Sequence, residues 1–181
     1  LNLSQLITYR KVIATAGTAE RVMPYITGTT IAFNNANPDT ITDSDSNFIN
    51  KGFFPGMWII VSGATNAANN STFKVDTVVA GTLTLSSGAA LTAETAGATV
   101  IIQPAGQGMP VPDGVKVVIK AAQANTGIVN VADSQVKADK DNSFGWRLDN
   151  NECAKIGIKN VNALWWDSTV SSDVIEVGFE S

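Results

Sequence analysis

The sequence has no histidine and a single cysteine, Cys153. The first absence removes Ser-His-Asp and Cys-His triads, the HExxH zinc site and the commonest general base. The second removes intrachain disulfides and thiolate metal clusters, so Cys153 reads as a small packing residue. Charge is scarce as well: Asp, Glu, Lys and Arg make up 15% of the 181 residues, and the net charge is −4. That balance argues against a nucleic-acid binder, which carries a basic surface. No apolar run approaches the roughly 20 residues that span a bilayer, and no signal peptide is visible. Sustained helical periodicity is missing too, so helix should fall well below the usual share of about 30%.

What remains is a chain 44% hydrophobic, enough to build real cores, written in short strand-like runs with frequent turn residues. The central stretch is Pro110 to Val131. Pro112-Asp113-Gly114 is a turn, because proline fixes φ and glycine accepts positive φ. Val115, Val117 and Ile119 then share one strand face, with Lys116 and Lys120 on the other. Asn125-Thr126-Gly127 turns the chain again, and residues 128–131 read as the returning strand of a hairpin. Further strands are expected at 8–16, 19–22, 145–148, 155–158, 163–166 and 174–179. Leu3, Leu6 and Ile7 are spaced for one helical turn or for an arm on a neighbour.

Residues 25–104 differ in texture. Their charged side chains are Lys51, Lys74, Asp39, Asp43, Asp45, Asp76 and Glu94, and Thr, Ser, Asn, Ala and Gly fill much of the rest. Strands are expected at 29–33, 39–42, 57–61, 72–79, 82–85 and 99–102, with at most one helical turn between Leu91 and Ala96. Joining Val22 directly to Pro110 leaves a sensible strand-turn-strand. The expected architecture is therefore all-β: a jelly-roll-like β-sandwich of residues 1–24 plus 105–181, with a small β-barrel or β-sandwich module, 25–104, inserted in it. Insertion at a turn is tolerated because loop closure depends weakly on length. Tandem domains divided near Ala105-Gly106 are the alternative.

Candidate sites are few. Asp43-Ser44-Asp45-Ser46-Asn47 opens like a calcium loop, but Phe48 stands where the glycine belongs and Phe54 where the closing glutamate belongs. A solvated Asx turn accounts for it better. Lys51 to Trp58 is apolar and turn-rich but lacks a phosphate-binding GxxxxGK[ST] pattern. It reads as core and turn, with Phe53 and Phe54 as candidates for subunit contact. Trp165 and Trp166 are adjacent on a strand, so their rings point to opposite faces, one to the core and the other to the surface, a second core or an interface. Trp146 is a further interface candidate, and Arg147 reads as a surface residue beside it. Asn70-Ser71-Thr72 matches a glycosylation sequon without a secretory context. No carboxylate pair is singled out for glycosidase chemistry. Neither a catalytic constellation nor a cofactor or metal site is expected.

Two stretches resemble segments of tailed-bacteriophage virion proteins. Residues 40–85 are similar to a phage β-module, through Phe48, Gly52, Phe53, Gly56, Ile59, Val61, Ser62, Gly63, Asn69, Asn70, Phe73, Val75 and Leu83. Met57 departs from it, since that position is often acidic. The outer segments VIATAGTAERV, PVPDGVKVVIKAAQANTGIVNV and NVNALWWDSTVSSDVIEVGFE resemble small phage head or tail proteins. The resemblance implies a non-enzymatic structural protein, foremost a capsid decoration (cement) protein on the outer head surface, made in the host bacterial cytoplasm. It also implies a homotrimer and the major capsid protein as partner. A neck or tail component, or a host-adhesion module that binds glycans, is the alternative.

Overall fold

The computed structural model describes residues 9–106 and 108–181. The early Leu3, Leu6 and Ile7 lie outside them. The described chain is all-β, built from antiparallel strands, and its helical pieces are single 3-10 turns at Ala67–Asn69 and Val161–Ala163. It divides into two compact units, Leu1–Met23 with Gln107–Ser181, and Pro24–Gly106.

The discontinuous unit holds two four-stranded sheets. One orders β1 (Tyr9–Val12), β15 (Val174–Glu180), β10 (Lys116–Ala121) and β13 (Cys153–Ile156). The other orders β12 (Trp146–Leu148), β11 (Val129–Ala132), β14 (Trp165–Ser168) and β2 (Glu20–Arg21). Consecutive strands β10, β11, β12, β13, β14 and β15 are shared out between the sheets in the order of a jelly roll. The period-2 pattern sets the inner faces: Val117, Ile119 and Ala121 of β10 are buried with Ile175 and Val177 of β15. Val129, Val131 and Trp166 line the second sheet, the last two in register.

The expected hairpin of 115–120 with 128–131 is not formed. Strand β10 pairs with β13 and β15, and β11 with β12 and β14, so the turn between them arches from one sheet to the other. Its polar side chains are consumed in holding that arch. Asn125 donates from Nδ2 to Val174 O (2.9 Å) and accepts from Val174 N at Oδ1 (2.8 Å). Asp173 accepts from the amides of Thr126 (3.0 Å) and Gly127 (3.1 Å) and from Ser168 Oγ (2.6 Å). These three donors satisfy the buried carboxylate's oxygens in place of water.

Lys11 is also buried, on the inner side of β1, where it faces Ile175 across the sheet. Its ammonium donates to the carbonyls of Arg21 and Met23 (3.1 Å to the latter). Nearby, Tyr9 donates its hydroxyl to Val22 O (3.2 Å), and burial pushes its pKa up.

The continuous unit is one curled seven-stranded sheet: β3 (Ile26–Gly28), β9 (Val100–Pro104), β6 (Trp58–Ser62), β7 (Thr72–Val79), β8 (Thr82–Leu85), β5 (Thr40–Asp43) and β4 (Ile31–Asn34). Strand β7 is long enough to take part in both halves of the curl and carries a bulge between Val75 and Thr77, the device that lets a sheet bend. Its core includes Phe33, Ile41, Phe48, Phe53, Ile59, Leu83 and Ile102. Phe48 and Phe53 meet edge to face at 5.6 Å. First and last strands pair, Ile26 with Ile102 and Gly28 with Val100. Residues 91–96 contain no helical turn. Glu94 instead bridges to Phe33, and its side chain gathers the 65–69 loop: Thr65 N (2.7 Å), Asn66 N (2.9 Å) and Asn69 Nδ2 (2.9 Å) all donate to it.

Candidate functional site: two exposed aromatic surfaces

The sequence singles out Phe53, Phe54, Trp146, Trp165 and Trp166 for contact, and the fold separates them. Phe53 and Trp166 are core residues, 4% and 0% exposed, and present no surface. Phe53 lies under Phe48 because the Asn47–Gly52 turn folds back, with Lys51 N donating to Asn47 O (2.8 Å) and Phe53 N to Phe48 O (3.1 Å). Phe54 is half-buried against the same core. Trp165 and Trp166 do diverge, but Trp165 is half-buried beneath the Arg21 guanidinium, 5.0 Å from the ring centroid, a cation–π contact. Arg147 is exposed and pairs with Asp149 (2.9 Å).

Trp146 alone of the five is well exposed, at 61%, and Phe144 beside it is 52% exposed. Both flank Gly145, whose φ is +117°. A Cβ there would stand 2.9 Å from Val131 O, so only glycine lets the strand approach β11 so closely. The Phe144 backbone is fixed by a two-bond bridge to Lys137 (2.9 and 3.1 Å), and buried Asn130 donates to the carbonyls of Lys137 (3.0 Å) and Phe144 (3.3 Å). Among the described residues, strand β12 has a neighbour on one side only, β11. The aromatic pair therefore stands on an anchored sheet edge.

The second surface was not anticipated as such. On β6 the alternation Met57-Trp58-Ile59-Ile60-Val61 puts Met57, Ile59 and Val61 into the core, leaving Trp58 (56%) and Ile60 (39%) outside. The facing strand fixes that phase, since Ile59 lies opposite buried Phe73. Trp58 lies directly opposite Lys74 and opens one end of a groove of about 400 Å³ that crosses β7 to the 86–90 loop. Its walls include the hydroxyl residues Ser71, Thr72, Ser86 and Ser87.

The remaining motifs are structural. Asp43 accepts from Thr30 Oγ1 (2.7 Å), Asp45 N (3.2 Å) and Asn47 N (3.1 Å), the bonding of an Asx turn. Among the described residues no cluster of three His, Cys, Asp or Glu could hold a metal ion. The Asn70 amide is committed to Ala64, with both Oδ1 and Nδ2 bonded to its backbone at 2.8 Å. Cys153 is exposed on edge strand β13 rather than packed inside, contrary to its reading as a packing residue. No described helix is long and apolar enough to cross a membrane. No protein-family model, curated protein or solved structure matches the chain.

Proposed function

We propose that this chain is a non-enzymatic structural protein of a tailed-bacteriophage virion, a decoration protein that assembles as a homotrimer on the outer head surface. The observation that carries the reading is the anchored aromatic edge at Phe144 and Trp146. It joins the sequence resemblance set out above. Large aromatics left in water on a pinned edge strand suit burial against a neighbour, since Trp is enriched at interface centres and an unpaired strand edge invites pairing. Covering what these two rings still expose stabilises an assembly by about 6 kcal/mol gross per protomer, before association and ordering costs. The contact would do mechanical work only: cohesion between copies, and between copies and the major capsid protein.

Sedimentation equilibrium of the purified chain and of Trp146→Ser tests the self-contact. A trimer that the substitution dissociates is expected, and a wild-type monomer overturns trimerisation. Mass spectrometry of purified virions tests the location, and absence of the chain from them overturns the virion assignment.

A further inference from the structure

We infer that the Trp58 groove of the continuous unit is a binding site for oligosaccharides carrying acidic sugars. The inference does not rest on the virion reading and concerns a different unit of the chain. Three features converge. Trp58 offers an indole with more than half its surface in water, and its carbonyl is tied to Ala105 N (2.9 Å), so the strand beneath the ring is fixed. A flat, electron-rich ring suits the C–H face of a pyranose, and gains both burial and directional contact from it. Along the groove stand the hydroxyls of Ser71, Thr72, Ser86 and Ser87, which donate and accept as sugar hydroxyls require. At Gly88, φ is +92° and nothing lies within 4 Å of where a Cβ would be, so the loop's backbone is open to approach.

The charge in the groove selects the ligand class. Lys74 is its one ionisable lining residue, with no carboxylate beside it there. Its ammonium has no hydrogen-bond or ion-pair partner among the described residues. The nearest acid on the strand, Asp76, is outside the lining. A cation left without a partner next to an exposed indole, in a chain of net charge −4, complements a carboxylate on the sugar. The geometry therefore favours a uronic or sialic residue, stacked on Trp58 with its carboxylate on Lys74. Such an open, hydroxyl-lined site binds weakly, with Kd on the order of 1 mM or below.

Isothermal titration of the full chain with tetragalacturonate, sialyllactose and neutral maltotetraose tests this. At least one acidic probe should bind and maltotetraose should bind several-fold more weakly. Trp58→Ala should weaken the acidic probe at least about tenfold. Lys74→Gln should remove the preference for acid over neutral while leaving residual stacking. Both side chains are exposed, so circular dichroism and melting of the variants should match wild type. Three results overturn the inference: no probe binding at millimolar concentration, equal binding of acidic and neutral probes, or undiminished binding by Trp58→Ala. Sedimentation showing a self-association that Trp58→Ala alone abolishes would also overturn it, by assigning the groove to a second copy.

Discussion

Replacing Glu94 by Gln should open the 65–69 loop without unfolding the sheet behind it. The carboxylate receives three donors: Thr65 N on Oε1, and Asn66 N with Asn69 Nδ2 on Oε2. Burial raises its pKa, but the hydrogen bonds from Asn66, Thr65 and Asn69 outweigh that and hold it below the usual carboxylate range. A Gln amide has one acceptor oxygen. Turned to serve Asn66 and Asn69, it sets its NH2 against the Thr65 amide, donor facing donor. One bond is lost and two become neutral. Charge-assisted bonds contribute about 1.5–3 kcal/mol and neutral ones about 1. Water reaches exposed Thr65, so the expected net cost is about 2 kcal/mol, or a roughly thirtyfold larger population of the opened loop. Native-state hydrogen exchange at the Thr65 and Asn66 amides reads it directly. The sign of the pH dependence follows from the lowered folded pKa. The carboxylate's contribution is fully present above the unfolded pKa and is lost as pH falls through the folded one. The difference between wild type and Glu94→Gln should shrink along the same path. Equal protection at neutral pH, or a gap that persists in acid, would refute the reasoning.

Three other substitutions probe the scaffold. Gly63→Ala should cost more than about 3 kcal/mol, because φ is +85° and the new Cβ would sit 2.2 Å from Thr99 O; urea unfolding checks it. Phe48→Ala removes a fully buried ring in edge-to-face contact with Phe53 and should cost about 3–5 kcal/mol in the same assay. Asp173→Asn, turned to keep Gly127 and Ser168 on its one acceptor oxygen, leaves the Thr126 amide unserved and should destabilise by about 2–3 kcal/mol, with the amide of Thr126 losing exchange protection first.

The strands of the sheet were legible where burial on one face alone decides the pattern. Thr82–Leu85 alternates because only Leu83 and Leu85 reach the core, and Thr72–Val79 reads the same way through Phe73 and Val75. Strand β3 was missed: three residues ending in glycine carry too little pattern to rise above a loop. The arch at Asn125 was read as a hairpin because Asn-Thr-Gly specifies a reversal of the chain but not which sheet receives it. That choice is made by Asp173 and Val174, nearly fifty residues away. Buried Lys11 was illegible for a related reason, since its carbonyl partners belong to the segment around β2. At the candidate surfaces the sequence supplied the aromatics but not their sides. Trp146 lies outside, Phe53 and Trp166 inside, and Trp58, at the end of a run that reads as core and turn, lies outside as well.

The pairing of β3 with β9 has a consequence for how such a chain changes over time. Because Ile26 lies beside Ile102, the two ends of the Pro24–Gly106 unit meet within one strand spacing, about 5 Å. A piece of chain that enters and exits through the same doorway is a cassette. It can be cut out and bridged by a short turn, or grafted into another host loop, with little disturbance to what surrounds it. Selection is then free to exchange the cassette while the jelly roll that carries it stays as it is.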